Sequence, residues 1–294
     1  MTTGGAPPVV TAVVVNWNGG DVVVDCLRSL GEHPPSVPWE AVLVDNASSD
    51  DSVEQVRAEL PWVRVIANER NAGLAAGNNQ GMRASEAPFI LISNPDVMYA
   101  SGAVDALLDL LHRRERAAFA VARLVDRDGT LQASAGDLPT LRDALVGRWL
   151  GRRGPQRTMQ GFWWFDWDHR DERPIGHGGE ACYLVRRAAL QEVGLQDERF
   201  PLDWEGVDWS ARVWDAGWEI WFCPDAEVVH LGGVTIRQVP YRWVVLSHRG
   251  MYRYFRTRLP RAGRPLLATA IGLRAAAKLV LAAMDARRVY ELGH

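Results

Sequence analysis

Cysteine and lysine are scarce in this chain, its first residues do not read as a secretory leader, and it has no uninterrupted membrane-length apolar run. The three cysteines, Cys26, Cys182 and Cys223, are odd in number, scattered and without metal-ligand spacing. They exclude a disulfide framework and a cysteine metal site, and predict reduced thiols in a cytoplasmic protein. Lys278 is the only lysine, a compositional bias rather than a chemical signal. Met1–Pro8 is small, polar and proline-containing rather than charged and then apolar, which argues against secretion. Leu266–Met284 is rich in Ala and Leu but carries Arg274 and Lys278 one turn apart. It therefore reads as an interfacial helix and not a spanning one. No repeat or low-complexity tract is found.

The rest of the composition is that of a soluble globular protein. The chain has 294 residues, 47% hydrophobic and 23% charged, enough for a full core in one large or two small domains. The net charge of −3 conceals a split: residues 237–294 hold eleven arginines and one lysine against Asp285 and Glu291, a balance of +10 that leaves −13 for residues 1–236. Such a tail is expected to meet something anionic.

Short apolar, β-rich runs alternate with helical segments. Strands are predicted at 11–16, 41–44, 63–66, 87–92 and 117–122, with helices at 21–30, 52–60, 73–86 and 101–116. Asp21 is expected to cap the first helix, and Asp51 with Glu54 to form a capping pair on the second. This alternation predicts an α/β fold with a parallel, right-handed crossover sheet. Asp126–Gly129 reads as a hairpin turn into 130–133. Residues 136–176 lack periodicity and read as a long functional loop. Order returns with a strand at 181–187, helices at 188–193 and 207–216, and a strand at 218–222.

Polar clusters fall at the strand ends. Pro95 cannot continue the ladder begun by Ala87–Ile92, so Asp96 emerges at that strand's carboxyl end. Ligands bind at this edge in open α/β sheets, and a lone carboxylate there suits a hard cation bridging a diphosphate. Asp45-Asn46, Asn71–Asn78, Asp203–Asp208 and His230–Gly233 complete the set. Asn71, Gly73 and Asn78 lie at a helix start whose free N–H groups attract phosphate, or else serve as caps and close-packing positions. Asp45 and Asn46 are equally suited to turn-stabilising bonds.

Five stretches occur together: Val13–Gly19, Val44–Asp50, Asn71–Asn78, Ser93–Val97 and Asp208–Gly217. In order and content they resemble the inverting family-2 glycosyltransferases, of GT-A fold, and among them the rhamnosyltransferase-like members. The resemblance spans roughly residues 11–235. It implies a Rossmann-like, mostly parallel sheet flanked by helices, binding a nucleotide-diphosphate sugar. Asn16, Asn18, Asp45, Asn46, Asn71, Gly73, Asn78, Asn94 and Asp96 are the implied donor-binding residues. Asp45 would meet the pyrimidine ring, and Asp96 and His230 would hold Mg2+ or Mn2+. Gly179, Glu180 and Trp204 are placed at the acceptor site.

Two departures from the family pattern stand out. Relatives commonly read Glu-Asp-x-Asp where this chain has Asp203-Trp204-Glu205-Gly206-Val207-Asp208. Glycine therefore stands at 206, where the proton-accepting Asp is expected. Glu205 becomes the first candidate base, with Asp208 and Asp203 as alternatives; Asp208 can instead pair with Arg212 one turn on. Glu180 stands where relatives usually carry glycine, and either shapes the acceptor site or is simply exposed.

Residues 241–264 alternate aromatic and cationic side chains, among them Trp243, Tyr252, Tyr254 and Phe255 with Arg242, Arg249, Arg253, Arg256 and Arg258. This composition suits the headgroup zone of an anionic membrane better than nucleic acid. The alternative is a basic helical pair packed on the catalytic domain or at a homodimer contact. The expected organisation is a catalytic domain over 1–236, with a nucleotide-sugar half at about 9–125 and an acceptor half at about 126–236. Residues 237–294 form a helical extension, peripheral on the inner face of the plasma membrane. The expected reaction is metal-dependent transfer of L-rhamnose from dTDP-rhamnose to a lipid-linked glycan precursor. A UDP- or GDP-hexose donor, a soluble acceptor, or a catalytically silent sugar-nucleotide-binding protein are the other readings.

Overall fold

Alternate residues of the first strand point into two different cores, which fixes the architecture. In a computed structural model describing residues 6–142, 163–164, 167–200, 202–232 and 240–284, β1 (Val10–Asn16) is buried throughout. Val10, Ala12 and Val14 join one hydrophobic cluster and Val13 another, as expected of a strand covered on both faces. The units that follow are α1 (Gly20–Glu32), β2 (Trp39–Asp45), α2 (Ser52–Glu59), β3 (Val63–Ala67), α3 (Leu74–Arg83) and β4 (Phe89–Ser93). β3, β2, β1 and β4 are neighbours in that order and all parallel. Helix α3 can lie close to β1 because it carries glycine on that face. A Cβ at Gly77 would meet Val15 Cγ1 and Cγ2 at 2.8 and 2.9 Å.

The second half mixes directions. β5 (Val97–Tyr99), α4 (Ala103–Arg113), β6 (Ala117–Val125), β7 (Ala135–Gly136), β8 (Arg173–Pro174), β9 (His177–Gly178) and β10 (Cys182–Arg186) precede α5 (Arg187–Val193), α6 (Glu205–Asp215) and β11 (Glu219–His230). β10 inserts antiparallel between β4 and β6, and β11 runs parallel to β6 with a bulge between Cys223 and Glu227. The sheet is thus mixed and not wholly parallel, because β10 enters from a loop and not from a crossover helix. β11 runs eight residues past the expected end at Phe222 and carries His230 back to the edge where β4 ends. The hairpin turn expected at 126–129 forms, and the return segment pairs through Gln132 N to Leu124 O at 3.0 Å and one bridge, Val125 to Leu131. All three cysteines are buried and free.

Two capping expectations are corrected. Neither α1 nor α2 has a side-chain cap bond from its N-cap residue. Asp50 accepts from Gly20 N at 2.9 Å and from Ser52 Oγ at 2.6 Å. One carboxylate thus ties both helix starts together, a task the sequence analysis gave to Asp21 and Asp51.

Helices α7 (Pro240–Arg258) and α8 (Arg264–Met284) pack on the catalytic domain. Met251, Tyr254, Phe255, Leu267 and Ile271 share a core with Phe200, Trp204, Val207 and Ala211. This corrects the expectation that the aromatic residues lie at a membrane surface: Trp243, Tyr254 and Phe255 are buried. Their cationic neighbours turn onto them, Arg258 stacking 3.7 Å from the Tyr254 ring and Lys278 5.5 Å from that of Trp243. Within the pattern, Arg253 and Arg258 stack on the rings of Phe200 and Tyr254.

Candidate active site

The turns after β1 and β2 form one polar cluster. Asn16, fully buried at the end of β1, donates through Nδ2 to Asp45 Oδ1 at 2.9 Å and to Ser52 Oγ at 2.8 Å. Asp45 also accepts from Ser48 N at 3.0 Å and Ser48 Oγ at 2.5 Å. The turn-stabilising role open to Asp45 from sequence is therefore realised. Asn18 and Ala47 hold positive φ of 51° and 61°, backbone geometry uncommon outside glycine. Asn18 Oδ1 accepts from Ser49 N at 2.7 Å, so the two turns brace each other. Asn46 donates from Nδ2 to Gly73 O at 3.1 Å and accepts from Asn68 Nδ2 at 3.1 Å. Asn71 Oδ1 accepts from Gly73 N at 2.9 Å, and Gly73, at φ 93°, begins α3. Asn78 is buried and donates to Gln196 Oε1 at 3.1 Å, on the other half of the chain. The residues expected on the donor side thus gather along one edge, while Asn78 reaches Gln196.

Asn94 and Asp96 lie at that edge. Asn94 N donates to Ala181 O at 2.8 Å. Asp96, 5% exposed, places Oδ1 3.3 Å from His230 Nε2. The residue that defines this pair is Gln132, which the sequence analysis missed. Its Nε2 donates to Asp126 Oδ1 at 2.6 Å and to His230 O at 2.7 Å. Its Oε1 therefore faces His230 Nδ1, at 2.9 Å, and accepts that N–H. The ring's other nitrogen, Nε2, faces a carboxylate oxygen of Asp96. An imidazole nitrogen and a carboxylate converging at a strand end are groups that a divalent cation can share. A ligating histidine fixed by a bond from its other nitrogen is the usual support. Asp96 and His230 therefore fit a divalent metal. No group of three or more His, Cys, Asp or Glu suited to a metal exists among the described residues, so further ligands would come from substrate oxygens and water.

The carboxylates expected on the acceptor side surround the start of α6. Asp203 and Trp204 both hold positive φ, 57° and 67°, a strained entry of the kind retained at functional sites. Trp204 is buried against Tyr254 and Phe255, at ring distances of 5.5 and 5.7 Å. Glu205 is 1% exposed and its Oε2 has no partner. Burial, reinforced by Glu180 and Asp203, holds its carboxyl well above the ordinary range. Burial also raises Asp203, against a bond from Ser247 and the charge of Lys278. Asp208 pairs with Arg212 Nε at 3.0 Å and Arg258 Nη1 at 3.4 Å. Gly179 N donates to Ser134 O at 2.7 Å. Glu180 is half-buried beside Gly206 and is pushed up to about 8 by burial and the charge of Asp203.

A polar sheet edge, a paired Asp and His, and a cluster of carboxylates around α6 lie on a fold of the GT-A class. The solved structures agree on the fold. A mannosyltransferase from Pyrobaculum calidifontis, in complex with GDP-Man and Mn2+, superposes with a TM-score of 0.58 at 15% identity, covering 96% of this chain and 76% of that one. GalNAc-T7 with UDP, GalNAc and Mn2+ gives a TM-score of 0.56 at 17% identity over 76% of this chain; the match spans 44% of the GalNAc-T7 chain. The model of glycosyl transferase family 2 matches residues 11–194, and the chain belongs to that family. An N-acetylglucosaminyl-diphospho-decaprenol L-rhamnosyltransferase of Mycobacterium tuberculosis is 30% identical over 264 residues, 85% of each chain.

Proposed function

We propose that this enzyme transfers L-rhamnose from dTDP-rhamnose, with inversion, to a hydroxyl of a polyprenyl-diphosphate-linked sugar. The observation that carries the reading is the Asp96–His230 pair, set by Gln132 at the carboxyl end of β4. The relative that matches over most of the chain supports the rhamnosyl donor and lipid-linked acceptor. A Mg2+ or Mn2+ ion held by Asp96 and His230 would neutralise charge on the departing diphosphate. Asn16, Asn18, Asp45, Asn46, Asn71, Gly73, Asn78 and Asn94 shape the donor side; Gly179, Glu180 and Trp204 shape the acceptor side. In a single displacement the acceptor oxygen bonds to the sugar's anomeric carbon as its bond to diphosphate breaks. A carboxylate of the cluster around the start of α6 takes the hydroxyl proton.

Nucleotide selectivity tests this reading directly. Thermal stabilisation by dTDP, dependent on Mn2+ and larger than that by UDP or GDP, is expected. A larger shift with UDP would transfer the proposal to a UDP-hexose donor, and no shift with any of the three would overturn the nucleotide site.

The reading includes peripheral membrane attachment. No helix among the described residues is long and apolar enough to cross a membrane. α8 nevertheless exposes Leu266, Leu273 and Val280 at 76%, 68% and 59%, spaced seven residues apart on one face. Arg274 and Lys278 are half-buried, and Lys278 reaches the Trp243 ring. Three such side chains gain about 1.5–3 kcal/mol each on full burial, enough for reversible attachment. Substituting all three by serine is expected to release the chain from anionic vesicles while leaving its melting temperature unchanged. Undiminished binding would reject the membrane face, and conversion of a dimer to a monomer would assign the face to a second copy.

A further inference from the structure

The two departures from the family pattern, Glu180 and Gly206, meet in space. A Cβ built on Gly206 would lie 2.6 Å from Glu180 Cγ and closer still to its carboxyl carbon. Glu180 therefore fills the volume that any side chain at 206 would need. The Glu180 carboxyl packs directly on Gly206 in the first turn of α6, where the helix dipole favours negative charge.

The other carboxylates of the cluster are committed elsewhere. Asp208 is held between Arg212 and Arg258. Glu205 is almost fully enclosed, so a hydroxyl cannot reach it without opening the fold. Asp203 is engaged by Ser247 and faces Lys278 on the α7–α8 side. Glu180, by contrast, leaves the sheet beside the metal-binding turn. Cys182 pairs with Ser93 and Ala181 O accepts from Asn94 N, so Glu180 emerges across from Pro95-Asp96. Its neighbour Gly179 is bonded to Ser134, two residues from the Gln132 that orients His230.

We propose that Glu180 is the base of this enzyme, its carboxylate standing in for the side chain that Gly206 lacks. The inference rests on the glycosyl-transfer reading above. The acceptor O–H proton passes to the Glu180 carboxylate as the oxygen bonds to the anomeric carbon, and the electrons of the broken C–O bond leave on the diphosphate. Glycine at 206 and glutamate at 180 are then one exchange: the carboxylate has moved from the helix to the loop before β10, and the helix has lost a side chain to admit it.

The alternative role is purely structural, a cap on α6, and the test separates the two. With the full-length chain, dTDP-rhamnose, Mn2+ and N-acetylglucosaminyl-diphospho-decaprenol, Glu180→Gln is expected to lower kcat about 10²–10⁴-fold. Donor KM and the nucleotide-induced thermal shift should stay unchanged. Glu180→Asp should retain at least tenfold more activity than Glu180→Gln. The exchange variant Glu180→Gly/Gly206→Asp, which removes the overlap and returns a carboxylate to the helix, should also exceed Glu180→Gln by tenfold. Near-normal turnover in Glu180→Gln overturns the proposal and leaves the glycosyl-transfer reading standing. So does a parallel loss of nucleotide binding and turnover, which is the mark of a cap. A wild-type chain that releases no sugar from dTDP, UDP or GDP donors overturns both.

Discussion

Asp96→Asn lowers sugar transfer by about 10³-fold or more and leaves the fold intact. The expected size follows from the several kcal/mol of charge stabilisation that a divalent cation supplies to a departing diphosphate. The fold survives because of the local hydrogen bonding. Gln132 holds His230 through Nδ1, so the ring stays in place whichever side chain stands at 96. Asparagine has nearly the shape of aspartate and keeps a polar group facing Nε2. The metal-free melting temperature should therefore hold, while the Mn2+-dependent part of the nucleotide shift disappears. Turnover kinetics with calorimetry in the presence and absence of Mn2+ checks this. Activity within tenfold of wild type would remove Asp96 from the metal site.

Stability falls between about pH 6.5 and pH 8, because the carboxylates around α6 resist ionisation in the folded chain. Glu180, Glu205 and Asp203 all have folded pKa values above their unfolded ones; that of Glu180 reaches about 8. Their groups are at full stability below about pH 4.5, where both states are protonated. As pH rises the unfolded chain releases protons that the folded chain keeps, so each group subtracts up to about 1.4 kcal/mol per pH unit until it ionises in the folded state. Two buried histidines oppose this at lower pH. Burial depresses His177 and His248 to about 4. Their neutral forms therefore favour folding progressively from about pH 4 to 6.5, and their contribution is flat above that. The opposing slopes offset each other below about pH 6.5, and above it only the carboxylates act. Denaturant unfolding of the ligand-free chain at pH 6.5 and 8 should show the decline. Glu205→Gln should make it shallower; an unchanged slope would remove Glu205 from the titrating cluster.

Much of the donor half is legible in the chain. The run ending at Ser93-Asn94-Pro95-Asp96 places a carboxylate at a strand tip, since apolar alternation, a proline stop and a polar turn are local properties. The histidine was legible as a candidate, but the strand leading to it was not. β11 runs to His230 through a bulge at Cys223–Glu227, where Pro224, Asp225 and Glu227 break the apolar pattern. Gln132 carried no signal at all. Its role rests on hydrogen bonds to a residue 98 positions away, and nothing local marks a glutamine for that task. The aromatic and basic pattern of the tail was misleading for a related reason. A ring beside an arginine is the same dipeptide whether it meets a lipid headgroup or its own neighbour, and Arg258 on Tyr254 shows the second outcome.

By itself the sequence determined the repeating strand and helix units, the polar residues at their ends, and the two positions at which the chain departs from its family. These follow from hydrophobic period and turn chemistry, which act over a few residues. Only the tertiary structure decided that Glu180 and Gly206 meet, that Gln132 holds His230 beside Asp96, and that α8 turns Leu266, Leu273 and Val280 outward while Lys278 reaches the Trp243 ring. Those outcomes depend on volume and hydrogen-bond capacity shared between distant segments, which are set only when the chain packs.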